Sequence, residues 1–280
     1  MEIITITDKI MTDFASWLHA EEKSEGTREK YLRDLRAFSA WLGSREPTKE
    51  TATEWKEHLL GENYAPVTVN SMLGALNCFF RFAGMNVKLR FVRIQRSIFR
   101  EKSRELTREE FQRLVETADR QGKTRLSLLL ETICATGIRV SEVQYITVEA
   151  AQTGKANISL KGKNRTILLP GKLCRKLLKY AGKQKIASGE IFLTGSGKSL
   201  SRGQIWAEMK RLCKDAGVEA TKVFPHNLRH LFATTFYRIY KDVVRLADIL
   251  GHSSVDTTRI YLISTGEEHQ QMLERMRLVS

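Results

Sequence analysis

The chain has 280 residues, of which 42% are hydrophobic and 28% are charged, a composition typical of folded globular proteins. At roughly 150 residues per domain, this length predicts about two domains. No apolar run approaches the roughly 20 residues that a membrane-spanning helix needs, and an N-terminus with Glu2 and Asp8 does not resemble a signal peptide. These features exclude disordered and membrane classes and predict a cytoplasmic protein.

The charge balance is strongly basic and uneven. Lys and Arg number 46 against 32 Asp and Glu, which gives a net charge of +14. Nearly all of this excess falls in residues 101–280. Such a chain most often binds a polyanion, and no basic helix here carries the exposed aromatic residues of a membrane anchor. We therefore expect nucleic acid as the partner, although charge alone leaves open a basic enzyme of another kind.

The sequence contains no pattern for a cofactor or a structural metal. Its four cysteines lack a CxxC pair and lie among apolar neighbours, as buried reduced thiols do. It has neither a GxGxxG nor a GxxxxGK[ST] loop, the glycine-rich loops that cradle nucleotide phosphates. We therefore expect no cofactor.

Four segments within residues 1–96 have apolar residues at helical spacing. In the first, Met11, Phe14 and Leu18 share one face; in the second, Thr27 is the candidate N-cap. The predicted helices cover 11–18, 27–43, 51–60 and 67–82. Short loops join them, which favours a small helical bundle, with the first helices of one large domain as the alternative.

A basic stretch follows the fourth helix. Residues 81–104 contain eight basic side chains and a single acid, Glu101, with little helical periodicity. We interpret this stretch as an extended basic linker between two domains, with its domain boundaries set at 97–105 and with Arg90, Arg93 and Arg96 as DNA contacts. The alternative is a solvated charged loop, the usual fate of a charge run.

The second predicted domain covers residues 106–280. Thr107 and Glu110 form a capping box at its first helix. A basic turn at 161–164 between apolar runs at 157–160 and 166–169 predicts a β-hairpin, and 191–193 predicts a short strand. Further helices are predicted at 107–120, 124–136, 139–146, 172–182, 202–216, 226–239, 242–249, 254–263 and 267–277. The predicted fold class is mainly α with a small antiparallel β-sheet.

Two histidines lie four residues apart, a spacing that places them on one face of a helix. His226 and His230 could together bind zinc, but Asn227 stands where a metalloprotease needs Glu. Arg229 can share the face of His226, and its permanent charge would repel a cation. The same pair suits an oxyanion or phosphate, because Arg donates bidentate hydrogen bonds. No metal site is predicted.

Three other segments carry side chains of the same kind. Arg139 follows a helix-ending glycine, Lys161 lies at the tip of the hairpin, and His252 precedes Tyr261 near the C-terminus. Singly, each has an ordinary explanation as a cap, a turn lysine, a helix-flanking residue or a core aromatic.

The order of these residues resembles that of the tyrosine recombinase (phage integrase) family. The matching text is ATGIRVSE at 135–142, LKGKNRT at 160–166, HNLRHLFATTFY at 226–237 and LGHSSVDTTRIY at 250–261. The resemblance covers the chain from about residue 106 onward. Residues 1–96 fit the family's SAM-like, core-binding helical domain in position and size, without a comparably sharp motif.

The resemblance implies a site-specific DNA recombinase or integrase that needs neither metal nor ATP. Tyr261 would attack a DNA phosphodiester and hold the strand as a 3′-phosphotyrosine. Arg139 and Arg229 would neutralise the charge that develops on the non-bridging oxygens. A type IB topoisomerase and a DNA-binding protein without catalysis are the alternatives.

The remaining roles are also implied by the resemblance. Lys161 would protonate the departing 5′ oxygen, with Lys163 as the alternative lysine and otherwise a DNA contact. His226 and His252 would hydrogen-bond the phosphate and assist proton movement at the tyrosine. Glu142 would orient its neighbours, although an acid at a helix N-terminus is an equally good reading.

The resemblance further implies how the chain assembles. We expect double-stranded DNA as the partner, a monomer in solution and a homotetramer on paired sites. The amphipathic tail at 267–280 would dock on the neighbouring subunit, or alternatively pack on its own domain. An accessory directionality factor, a mobile genetic element as the source, and association with the nucleoid are compatible with this reading, as are DNA inversion and chromosome-dimer resolution.

Overall fold

The structure is a computed structural model that describes residues 6–94, 104–160, 163–252, 254–259, 261 and 273–276. Its contacts divide the chain into two compact units, Met1–Arg96 and Ser97–Ser280. The predicted linker at 97–105 lies outside the described residues except for its last two positions. Each unit is described by itself below.

The N-terminal unit consists of four helices: α1 (Asp8–Ala20), α2 (Glu25–Leu42), α3 (Lys49–Gly61) and α4 (Pro66–Phe82). All four lie where the apolar spacing predicted them. The prediction of Thr27 as the N-cap of α2 is wrong, because α2 begins at Glu25 and Ser24 occupies the cap position. The hydroxyl oxygens of Ser24 and Thr27 lie 2.9 Å apart, so Thr27 supports this terminus from the first turn.

Aromatic side chains form the core of this unit. Phe14 from α1 meets Phe79 from α4 edge to face, with ring centroids 5.6 Å apart. Phe38 from α2 packs on Trp55 from α3 at 5.1 Å. All four rings are buried, and such pairs add to the free energy gained from burying their large apolar surfaces.

The basic stretch after α4 is not wholly a linker, which corrects the prediction for 81–104. Arg81 lies in the last turn of α4, and the side chain of Leu89 is buried in the core. The Asn77 amide accepts a hydrogen bond from the Leu89 nitrogen at 2.7 Å and donates to its carbonyl at 3.2 Å. Asn70 does the same with Val92. Residues up to 94 therefore lie along the helical unit.

The C-terminal unit is larger and contains the hairpin. The short 3₁₀-helix at Val140–Tyr145 replaces the expected helix at 139–146. The helix Val148–Thr153 and the 3₁₀-helix Ala220–Lys222 were not predicted, because each has six residues or fewer. The elements are α5 (Arg108–Arg120), α6 (Thr124–Thr136), α7 (Val148–Thr153), β1 (Lys155–Leu160), β2 (Lys163–Leu168), α8 (Gly171–Lys183), α9 (Arg202–Ala216), α10 (Pro225–Tyr240), α11 (Val243–Leu250) and α12 (Val255–Arg259).

Strands β1 and β2 form an antiparallel hairpin in which Leu160 pairs with Lys163. The strand predicted at 191–193 is wrong: in the described chain, this segment takes part in a single isolated bridge, between Leu193 and Ser199. Ile191 and Phe192 are apolar because they are buried in the core, not because they belong to a sheet. The mainly α fold with a small antiparallel sheet is confirmed.

Helix α6 lies at the centre of the C-terminal unit and packs against α5, α8 and α10. Leu129, Leu130 and Ile133 on this helix are fully buried. Burial also raises the pKa of the neighbouring Cys134 thiol to about 12, so this thiol stays protonated at neutral pH. Within the described parts of the chain, no helix is long and apolar enough to cross a bilayer.

Candidate active site

The first predicted arginine is placed by the end of α6. Gly137 ends this helix with a left-handed backbone (φ +64°). A Cβ built on Gly137 would lie only 2.5 Å from the Phe232 ring on α10, so no other residue fits without displacing that ring. The chain therefore passes close to α10 before it reaches Arg139.

Arg229 on α10 is held by backbone carbonyls. Its guanidinium donates to the carbonyl of Gly137 and, at 2.8 Å, to that of Leu250, and the side chain is 2% exposed. Burial, with added repulsion from Arg139, lowers the Arg229 pKa to about 10, which still leaves it charged at neutral pH. The Arg139 guanidinium reaches the adjacent Gly251 carbonyl at 3.4 Å, so the two arginines meet at the C-terminal end of α11.

Glu142 lies buried beside Arg139. Its carboxylate accepts hydrogen bonds from the Arg139 main-chain nitrogen at 2.7 Å and from the guanidinium at 3.0 Å. The same carboxylate forms an ion pair with Arg165 from β2. One buried negative charge thus lies between two positive ones.

His252 is neutral in this arrangement. Burial and the charges of Arg229, Arg139 and Arg165 lower its pKa to about 4. Its Nε2 lies 2.9 Å from Arg229, which can only donate, so Nε2 accepts. The proton of neutral His252 is therefore on Nδ1, which donates to the Thr258 hydroxyl at 2.8 Å.

Tyr261 lies among three histidine rings and is 4% exposed. Its ring stacks on His252 at a centroid distance of 5.9 Å and 11° between planes. The rings of His230 and His226 lie at 5.2 and 6.2 Å. It belongs to one buried apolar cluster with Ala233, Leu246 and Leu250.

Six predicted site residues therefore come together around the C-terminal end of α11: Arg139, Glu142, His226, Arg229, His252 and Tyr261. Lys161 and Arg96 lie outside the described residues, as does the side chain of Lys163. Arg90 and Arg93 are exposed in the N-terminal unit. Among the described residues, no three His, Cys, Asp or Glu side chains are grouped as metal ligands would be.

Sequence reasoning did not assign three neighbours of this cluster. Arg165 is part of the quoted hairpin motif. The alternation of side chains along a strand does not show that Arg165 reaches Glu142. His230, considered above only as a zinc ligand with His226, has its ring 5.2 Å from that of Tyr261. Thr258 falls within the last quoted block, and its hydroxyl accepts the hydrogen bond from His252 Nδ1.

Family models match both units of the chain. Residues 104–268 match the Phage integrase family, and residues 11–85 match the Phage integrase, N-terminal SAM-like domain. Tyrosine recombinase XerA from Pyrococcus furiosus is 30% identical over 98% of this chain and 96% of its own length. Tyrosine recombinase XerD from Halalkalibacterium halodurans is 27% identical over 91% of this chain and 93% of its own.

Solved structures share the fold. The XerH site-specific recombinase bound to a palindromic difH substrate has a TM-score of 0.73 at 19% identity, over 99% of this chain and 91% of that one. A lambda integrase tetramer bound to a Holliday junction has a TM-score of 0.71 at 18% identity, over 90% of this chain and 76% of that one.

The chain belongs to the phage integrase family and is an enzyme of the tyrosine recombinase class. The predicted function in site-specific recombination is confirmed at this level, and the topoisomerase alternative is not favoured.

Proposed function

We propose that this chain cuts and rejoins double-stranded DNA through a covalent phosphotyrosine formed by Tyr261, without a metal ion or ATP. The observation that carries the proposal is the convergence of Arg139, Arg229 and Tyr261, which three distant parts of the sequence supply, at one end of α11. Two guanidinium groups beside a tyrosine are the groups needed for phosphoryl transfer without a metal.

In the proposed step, the Tyr261 oxygen attacks the scissile phosphorus and the bond from phosphorus to the 5′ oxygen breaks. The tyrosine proton passes to His226, and Lys161 supplies a proton to the departing 5′ oxygen. Arg139 and Arg229 donate to the two non-bridging oxygens as their charge increases. The phosphodiester energy is kept in the phosphotyrosine, so the reverse attack by a 5′ hydroxyl rejoins DNA.

The Arg229 contacts support this assignment. Two of its hydrogen bonds go to main-chain carbonyls, which hold the guanidinium in place before any phosphate arrives. A preorganised donor needs no reorganisation during the reaction. Neutral His252 accepts from Arg229 through Nε2, so in the proposal it helps to orient this arginine.

Covalent trapping tests the proposal. On a duplex nicked near the scissile phosphate, in buffer with excess EDTA, the wild-type chain should form a covalent protein–DNA adduct. Tyr261→Phe should bind the same duplex but form no adduct, because only the phenolic oxygen is lost. Undiminished adduct with Tyr261→Phe would exclude this nucleophile, and loss on chelation that zinc or magnesium restores would exclude the metal-free mechanism.

The proposal includes a homotetramer on paired DNA sites, from subunits that are monomeric in solution. Exchange between two duplexes needs four cleavages, and a lambda integrase of the same fold forms a tetramer on a Holliday junction. The tail at 267–280 would link neighbouring subunits. Its described apolar residues, Leu273 and Met276, are 66% and 56% exposed, which does not favour packing on their own domain.

A groove in the C-terminal unit is the proposed receptor for a neighbour's tail. It has a volume of about 690 Å³ and lies between α10, α11 and β2. Its walls include Phe232, Phe236 and Ile239. Exposed apolar surface on both the groove and the tail would be buried when a second copy docks, which favours association.

Deleting residues 267–280 should leave binding to a single site unchanged and abolish the tetrameric complex on paired sites. Native gel mobility with one site and with two sites measures both effects. Ile239→Asp, which places a charge in the groove, should reproduce the loss of tetramer. A truncated chain that still assembles and recombines normally would show that the tail does not couple the subunits.

The DNA contacts proposed outside the reacting centre are Arg90, Arg93, Arg96 and Lys163. The solvent exposure of Arg90 and Arg93 supports their availability to phosphate groups. We place the activity in the cytoplasm, at the nucleoid, because the substrate is chromosomal or mobile-element DNA.

A further inference from the structure

Three consecutive carbonyl groups at the C-terminal end of α11 each accept a hydrogen bond from a different arginine. The Ile249 carbonyl accepts from Arg165 at 3.1 Å. The next two, of Leu250 and Gly251, accept from the proposed phosphate ligands Arg229 and Arg139. Carbonyls at a helix C-terminus have no partner within the helix and carry partial negative charge, so they attract cations. Arg165 is the member of this group without an assigned role.

Arg165 differs from Arg139 in what its guanidinium can reach. Both terminal nitrogens of Arg165 are engaged, one by Ile249 and one by Glu142, and its side chain is 14% exposed. The Arg139 side chain is 41% exposed although it shares the same carboxylate. Arg139 is therefore accessible to a phosphate, whereas Arg165 is committed to protein groups.

Gly251 provides a second, independent observation. A Cβ on this residue would lie 2.6 Å from Cδ and 2.7 Å from a terminal nitrogen of Arg165. Its backbone is also left-handed, at φ +63°. Glycine is needed here both for the turn after α11 and for the space that the Arg165 side chain occupies.

The charges show what Arg165 can do. Glu142 is buried and carries one negative charge between two positive ones. Without Arg165, that carboxylate would pair with Arg139 alone and cancel its charge. With Arg165 present, the three groups keep one net positive charge, and the accessible part of it is on Arg139.

We propose that Arg165 is a positioning residue that balances the charge of Glu142 and so leaves Arg139 free to neutralise the scissile phosphate. This inference rests on the proposed function of Arg139. Arg165 acts from β2, through Glu142 and the end of α11, and does not itself touch the phosphate.

The test compares two substrates. One is the nicked duplex with an ordinary scissile phosphate; in the other, a methyl group replaces one non-bridging oxygen, so the scissile group is uncharged. Arg165→Met should slow adduct formation on the phosphate by roughly 10–100-fold, the loss expected when a ligand of the transition state is misplaced. On the methylphosphonate the loss should be much smaller, because less charge needs neutralising. Arg139→Met should show the same dependence on the substrate.

Lys222→Met is the matched control. Lys222 pairs with Glu110 at 2.9 Å and the two side chains are 16% and 14% exposed, so this variant also removes a largely buried cation from the C-terminal unit. It should affect both substrates equally. An equal loss on both substrates with Arg165→Met would make Arg165 merely structural, and no loss would remove its role.

Two glycine variants extend the test to a chain that retains Arg165, which matters if Arg165→Met does not fold. Gly251→Ala should reproduce the selective loss on the phosphate. Gly217 has a similar left-handed backbone, with φ +60°, but open space where a Cβ would lie. Gly217→Ala should therefore not cause the selective loss on the phosphate. If the two behave alike, backbone strain explains the effect and the proposal fails. A wild-type chain without any adduct would instead refute the proposed function.

Discussion

The two units of this chain bury different kinds of side chain. In the described part of the N-terminal unit, Asp34 is the one buried charged residue, and aromatic and aliphatic side chains fill the core. The C-terminal unit buries Glu142 and Arg229 near a tyrosine that is itself 4% exposed. Removing a charge from water is costly unless it is paired and hydrogen-bonded.

The difference shows where the structure serves stability and where it serves chemistry. Apolar packing can stabilise the N-terminal unit with few directional contacts. In the C-terminal unit, the buried Arg229 guanidinium donates to backbone carbonyls. The Arg139 guanidinium donates to the buried Glu142 carboxylate. Those contacts fix the orientation of the arginine side chains, as a preorganised site requires, and bury little apolar surface.

Paired substitutions should separate the two units most strongly. Arg229→Met should lower the rate of adduct formation by about 10²–10³-fold, as expected when one donor to a developing oxyanion is removed. Phe38→Ala should instead lower the free energy of unfolding of the N-terminal unit by about 3–5 kcal/mol, because it leaves a cavity. Single-turnover trapping and thermal unfolding measure the two effects.

Two results would contradict this difference between the units. A Phe38→Ala chain of unchanged stability would show that the aromatic core does not hold the N-terminal unit. An Arg229→Met chain with wild-type adduct formation would show that this buried guanidinium is only structural.

Features that leave a local pattern in the sequence could be predicted, and contacts between distant residues could not. Helical periodicity located α1 to α4, because one apolar face per helix is a local pattern. The run Ile191-Phe192-Leu193 misled the strand prediction, because burial alone produces the same letters. The motif residues Arg139, Arg229 and Tyr261 were predicted from their order. The Arg165–Glu142 pair was not, because the two residues are 23 positions apart and meet only in the fold.

The pH dependence of stability should sharpen the comparison. The folded-state pKa of His252 is lowered to about 4 from 6.5, so between these values the unfolded chain binds a proton that folded His252 does not. The free energy of unfolding should therefore fall as the pH drops from 6.5 towards 4, by about 1–2 kcal/mol from this group after solvent screening.

Chemical denaturation at several pH values measures this change. His252→Gln should remove that part of the acid sensitivity. Equal profiles for wild type and His252→Gln would contradict a neutral, half-buried His252.

The smallest expected effect concerns DNA affinity. Affinity should fall with rising salt, with a log–log slope of about −0.9 for each phosphate neutralised. Reversing the charge at Arg90 and Arg93 should make the slope shallower, whereas the reversal Lys49→Glu at the N-terminus of α3 should not. Binding measured between low and moderate salt gives these slopes. An unchanged slope after both arginine reversals would mean that these side chains are merely solvated.

The central claim is that Tyr261 becomes bonded to DNA. Trapping the wild-type adduct on a nicked duplex, digesting it with protease and nuclease, and sequencing the modified peptide by mass spectrometry identifies the linked residue. The account predicts a nucleotide phosphate on Tyr261. Linkage to Tyr240, which is 61% exposed at the end of α10, or to any other residue would contradict it.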